Sequence, residues 1–244
     1  MLARRVLAEL IGSALLVIAV VGSGIAAQRL SPGDTGLQLL ENAAATAAAL
    51  VAIILAVGPV SGAHLNPVVT MADRYCGGID TGTALAYVGA QVAGGALGTV
   101  VANLMFDLPA VDWSSTDRSG GGLWLSEVVA TFGLLLVVFG VVRSGRAAVA
   151  PFAVGAYIGG AYFFTSSTSF ANPAVTLART MTDTFAGIEP ASVPAFVVAQ
   201  LAGTVLAVAV VLVLYPHIQE SAPDVVVPHV DNDRRPARPE VRRP

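Results

Sequence analysis

Six stretches of this chain, at about 6–27, 39–60, 83–105, 122–143, 147–166 and 194–215, are apolar enough and long enough to cross a bilayer. A hydrocarbon core of ~30 Å takes roughly 20 apolar residues of helix. In lipid every backbone N–H and C=O must be paired within the protein, which leaves helices or a closed barrel. These runs are continuous in Leu, Val and Ala rather than alternating, so the sequence predicts helices. Composition agrees, with 55% hydrophobic and 12% charged residues, roughly half the charge of a soluble domain. The expectation is an all-α membrane protein. A net charge of −3 without a basic stripe argues against a nucleic-acid partner. The single cysteine, Cys76, allows no internal disulfide and no Cys-based metal or redox motif, and reads as a small packed residue. The first span could be mistaken for a cleaved signal, but Glu9 interrupts its apolar run and further spans follow, so a retained helix is expected.

Two uncharged stretches are too long for one helix. Residues 42–72 and 147–178 contain no Asp, Glu, Lys or Arg, and each ends in an Asn-Pro segment. An aqueous loop has no reason to stay uncharged, whereas a loop that folds back into the membrane does. The halves also repeat. "AELIGSALLVIAVVGSG" aligns with "SEVVATFGLLLVVFGVV", pairing Glu9 with Glu127. "HLNPVVTMA" aligns with "FANPAVTLA", pairing Asn66 with Asn172, and the glycine- and alanine-rich segments at 89–100 and 198–209 pair Gln91 with Gln200. Three spans separate the two Asn-Pro segments, an odd number, so the repeats, about 5–106 and 122–215, are inverted. Such an arrangement often places a transport path at the repeat interface.

The Asn-Pro pairs have a definite chemistry. Asn is a strong N-cap, and Pro is favoured at the first helical position, where its missing N–H is no loss. Asn66-Pro67 and Asn172-Pro173 are therefore expected to start helices rather than break them. About ten residues give ~15 Å, half the hydrocarbon core. Two half-helices entering from opposite faces and meeting by their N-termini make one pseudo-span. With the side-chain oxygens used in capping, the two amide NH2 groups are expected to donate into a lumen. The positive dipole ends meet there and oppose cations. The product is a narrow pore for neutral, hydrogen-bonding solutes.

These paired motifs, the six spans, the early glutamates of spans 1 and 4 and the glutamines of spans 3 and 6 resemble the major intrinsic protein family of aquaporins and aquaglyceroporins, over about residues 5–215. The resemblance implies six transmembrane helices plus two re-entrant half-helices, passive permeation without a cofactor or metal, no catalytic residues, and a homotetramer with one pore per subunit. It implies that Pro67, Val68, Pro173 and Ala174 pack the half-helices together, Val68 departing from the usual alanine. It assigns Glu9, Glu127, Gln91 and Gln200 structural roles, the glutamates accepting hydrogen bonds from the re-entrant backbones. The competing reading of Glu9 and Glu127 is a proton-coupled secondary transporter. His64 matches the family's pore-lining histidine, with simple packing as the alternative.

By resemblance, the four filter positions fall on Thr46, Gly160, Ser169 and Val175. The family's usual filter pairs aromatic bulk with an arginine after the second motif. Here Val175 stands where that arginine would be, and no aromatic is expected. Such a filter should be wide, passing glycerol-like polyols and undissociated metalloid acids such as arsenous acid as well as water; some bacterial members found beside arsenic-resistance genes have unusual filters of this sort. A strict water channel is the nearer alternative. Arg179, one turn beyond Val175, could place its charge in the outer vestibule, but snorkelling to the interface is the preferred expectation. Arg4, Arg5, Arg74, Arg143, Arg146 and an Arg-rich tail lie on one side, against Arg29, Arg118 and Arg179 on the other. The positive-inside rule then places both termini in the cytoplasm, in a plasma-membrane protein with a channel domain at 1–215. The tail, 216–244, reads as disordered.

Overall fold

Residues 2–215 are described by a computed structural model, and the expected disordered tail at 216–244 lies outside the described residues. Six helices span: α1 (Leu2–Leu30), α2 (Thr35–Ser61), α4 (Thr81–Met105), α5 (Gly121–Arg143), α6 (Ala150–Phe164) and α8 (Val193–Leu214). All six are long and apolar enough to cross a membrane once the adjoining 3₁₀ turns at 147–149 and 190–192 are counted. Between them lie two short helices, α3 (Pro67–Cys76) and α7 (Pro173–Ala178), where the Asn-Pro motifs predicted half-helices. α3 has the expected ten residues. α7 has only six before tightening into a 3₁₀ turn at Arg179–Met181.

Each spanning helix hides polar and small residues inside and turns apolar ones outward. Leu85, Val198, Val205 and Val213 are all at least 66% exposed, an outer face suited to acyl chains rather than water. Trp124, in the first turn of α5, is exposed at the end of a span, the level at which amphipathic rings favour the headgroup region. The starts of α2 and α4 are marked by side-chain caps, as Asp34 accepts from Leu37 N at 2.9 Å and Asp80 from Thr83 N at 3.0 Å.

The inverted repeat is visible in the packing. α1 lies against α4 and α2, and α5 against α8 and α6, while α2 meets α6 across the centre. In each half glycine permits the close approach. A Cβ on Gly94 would run into the Leu10 carbonyl of α1, and one on Gly203 into the Val128 carbonyl of α5. These glycines are 109 residues apart, the same offset as Gln91 and Gln200. α3 and α7 lie between the halves, each against α4 and α8 and touching one another.

Candidate functional site

The two Asn-Pro motifs meet at the centre. Asn66 is extended (φ −157°) and its Oδ1 accepts from Val68 N at 3.1 Å; Asn172, also φ −157°, accepts from Ala174 N at 3.0 Å and Val175 N at 3.3 Å. Capping therefore follows the sequence expectation. The amide nitrogens do more than expected. Asn66 Nδ2 donates to Ala171 O and Asn172 Nδ2 to Leu65 O, both at 2.8 Å. Each asparagine thus braces the backbone just before the other, and one of its two N–H bonds, not both, is left for the lumen. Pro67, Val68, Pro173 and Ala174 are buried at this junction.

The backbone leading into each motif is strained in the same way twice. Ala63 and Leu65 have φ of 49° and 51°, and Ser169 and Ala171 have 52° and 46°. A left-handed non-glycine residue costs about 1–2 kcal/mol, so something must hold four of them. Glu9, fully buried, accepts from His64 N (3.0 Å) and Ser61 Oγ (2.6 Å) on one oxygen and from Leu65 N (2.7 Å) and Gln91 Nε2 (2.8 Å) on the other. Glu127, equally buried, accepts from Phe170 N (2.9 Å), Ala171 N (2.9 Å) and Gln200 Nε2 (2.6 Å). Every carboxylate oxygen is occupied by loop or glutamine donors. This arrangement favours the structural reading of both glutamates over proton coupling.

Thr70 and Thr176, which the sequence reading passed over, complete the scaffold. Their hydroxyls donate to Asn66 O and Asn172 O (3.1 and 2.8 Å) and accept from Gln91 Nε2 and Gln200 Nε2 at 2.9 Å. The signal was present: both threonines stand four residues after the asparagine in the aligned motifs.

A cavity of about 70 Å³ passes both asparagines, from His64 on the α3 side to Arg179 on the α7 side. Its lining combines apolar Leu50, Ile54, Leu134, Val154, Ile158 and Val175 with polar Thr46, Ser169, the two asparagines and the re-entrant segment around Leu65 and Ala171. His64 is on the wall, its Nδ1 3.1 Å from Thr70 Oγ1 and its Nε2 3.5 Å from the buried Asp73 carboxylate.

Two filter expectations change. Gly160 does not face the cavity: it is exposed, beside the Phe164 ring. The wall residues of α6 are Val154, Ile158 and Tyr162, spaced by four, and at ~100° per residue a position two after Ile158 points to the opposite side. Tyr162 is 3% exposed, with its hydroxyl 3.3 Å from Thr46 Oγ1, so the wall carries an aromatic where none was expected. Arg179 does not snorkel. It is 2% exposed, lines the cavity, lies 3.4 Å over the Phe170 ring and donates from Nε to Ala186 O. The 3₁₀ turn after α7 and the loop carbonyl at Ala186 fold its side chain inward. Val175 lines the cavity as the motif spacing required.

A family model described as "Major intrinsic protein" matches residues 1–171 and ends one residue before Asn172. The aquaglyceroporin AqpS of Rhizobium meliloti (strain 1021) is 49% identical over 227 residues, 91% of this chain and 97% of that protein. Aquaporin NIP1-3 of Oryza sativa subsp. japonica is 33% identical over 161 residues, 64% of this chain and 55% of that protein. Among solved structures, the X-ray structure of the aquaglyceroporin from Plasmodium falciparum aligns with a TM-score of 0.66 over 90% of this chain and 100% of that one. Its identity to this chain is 21%, so that likeness speaks to the fold.

Proposed function

The chain belongs to the major intrinsic protein family and is a multi-pass membrane channel, not an enzyme, and on that footing we propose that it passes polyols of glycerol size, undissociated metalloid acids such as arsenous acid, and water. The observation that carries this reading is Val175, a 6% exposed apolar residue on the cavity wall three residues after Asn172. With Ile54, Val154 and Ile158 it lines the same cavity as the Thr46 and Ser169 hydroxyls and the asparagine amides. A glycerol-like molecule has one alkyl edge and one hydroxyl edge, and each would find its complement. Selectivity for such solutes follows from lining polarity and diameter rather than from a tight binding site. The similarity to a protein named an aquaglyceroporin supports the same solute class.

Stopped-flow light scattering of proteoliposomes tests it. Glycerol and arsenous acid should enter with flux linear in their gradient, and Val175→Arg should reduce that flux by about tenfold, equivalent to ~1.4 kcal/mol of added barrier. Water flux with both solutes excluded would sink the proposal. That outcome is the strict water channel, a reading favoured by one observation, the Tyr162 hydroxyl closing on Thr46. Saturable flux that follows a proton gradient would instead mean a coupled transporter. The same footing leads us to a homotetramer in the plasma membrane with cytoplasmic termini. Arginine placement supports the orientation, and native mass spectrometry together with labelling of single introduced cysteines from either side tests both.

A further inference from the structure

We propose that Arg179 supplies, from one helical turn beyond Val175, the fixed charge and paired donors of this channel's outer constriction, and so determines both cation rejection and the discrimination of hydroxylated solutes from water. The inference rests on the cavity being the permeation path.

The guanidinium is seated from two directions. Phe170 lies under its plane, and Nε is tied to Ala186 O. Arg118 approaches the same ring at 5.1 Å and donates to Gly187 O (2.7 Å) and Phe185 O (3.3 Å), so consecutive carbonyls of one loop hold both arginines. Among the described residues, Arg179 has no carboxylate within ion-pair distance and its two terminal nitrogens bond to no protein atom. A guanidinium removed from water with unsatisfied N–H groups carries a large penalty. Here those groups border the cavity, so lumen water or solute must satisfy them.

The repeat sharpens the point. Val175 corresponds to Val69, Phe170 to His64 and Arg179 to Asp73, each pair 106 residues apart, and Asp73 and Arg179 are both 2% exposed. The two half-helices thus place opposite charges at equivalent positions. His64 approaches the acid, whereas among the described residues an aromatic face and a loop carbonyl meet the cation. The α7 half therefore carries a positive charge on the cavity where the α3 half carries an acid. A planar fork of donors matches two oxygens on adjacent atoms or on one centre, as in a vicinal diol or a neutral metalloid hydroxide, better than a single water.

Proteoliposomes carrying wild type, Arg179→Gln and Arg179→Lys separate these roles. Proton and sodium leak are read with an entrapped pH dye and by sodium uptake under a potassium–valinomycin clamp; water and glycerol flux are read by light scattering. Arg179→Gln should raise cation leak by about tenfold or more and lower the glycerol-to-water flux ratio. Arg179→Lys, which keeps the charge but loses the fork and stack, should keep cation rejection and still lower that ratio. Wild-type leak and ratio in Arg179→Gln overturn the proposal. If that variant does not reach the membrane, Arg179→Lys decides: a wild-type ratio overturns it, a lowered ratio with rejection intact supports it. A wild type that excludes glycerol would refute the proposed permeants and leave the leak comparison to judge Arg179.

Discussion

Replacing Glu127 by glutamine is the sharpest probe of the scaffold, because it changes one oxygen to NH2 with almost no change in volume. Glu127 accepts from three donors, two of them the N–H groups of Phe170 and Ala171 in the strained loop. Glutamine keeps one acceptor, so whichever way the amide is turned, at least one donor faces another donor. A lost charge-assisted bond costs about 1.5–3 kcal/mol and a buried unsatisfied donor another ~1–3, giving about 2.5–6 kcal/mol. That is as large as the roughly 2–4 kcal/mol of strain in the left-handed Ser169 and Ala171 together, so the loop should rearrange and not merely weaken. Thermal unfolding in detergent, followed by tryptophan fluorescence, should show a clear drop in Tm, and solute flux should fall with it. Glu127→Asp, which keeps both acceptors but retracts them by one methylene, should lose less. Wild-type Tm and flux in Glu127→Gln would refute the reasoning. So would unchanged Tm with loss of a proton-driven flux, since the carboxylate would then be carrying protons.

Three further outcomes follow from the same geometry. Thr176→Val removes the hydroxyl that joins Asn172 O to Gln200 and should lower stability by about 1–2 kcal/mol; Thr70 joins Asn66 O to Gln91 in the other half and also meets His64 Nδ1 at 3.1 Å, so Thr70→Val should lower Tm at least as much, and a smaller loss would argue against equivalent scaffolds. Gly94→Leu should separate α1 from α4 and cost about 1–3 kcal/mol or prevent assembly, read as loss of monodisperse protein on size exclusion; a stable Gly94→Leu protein would mean the helices do not approach as described. Asp80, exposed at the start of α4, has its carboxyl held below its ordinary value of 3.8, first by the Thr83 side-chain hydrogen bond and then by the Thr83 backbone N–H. A depressed folded value means the cap's contribution is present above the unfolded value and lost as pH falls through the folded one. Tm between pH 5 and 3 should therefore fall more in wild type than in Asp80→Asn, and equal slopes would count against the cap.

The scaffold was readable because each of its parts answers to a local rule. Asn66-Pro67 and Asn172-Pro173 can cap and start a helix whatever surrounds them. Glu9 and Glu127 in apolar spans had to find partners, and the uncharged stretches before each motif were the nearest source. The filter was less readable. Gly160 was assigned by counting along α6, and an error of two residues reverses the face of a helix, hiding Tyr162. The asparagine amides looked unused because their acceptors, Leu65 O and Ala171 O, lie more than a hundred residues away in sequence.

The order of residues alone set the class of molecule: hydrophobic length and the demand for paired backbone groups leave helices, and a twice-repeated Asn-Pro starts two half-helices between the spans. It also set Val175 on the cavity wall, because the motif carries that position with it. Where long, flexible side chains go was left to the folded arrangement. Arg179 could have reached outward to water at little cost, and its sequence neighbours are silent on the choice. Phe170 beneath it and the Ala186 carbonyl beside it, brought together by the fold, turn it inward. A buried charge is placed by contacts distant in sequence, and those exist only once the two halves have closed around the lumen.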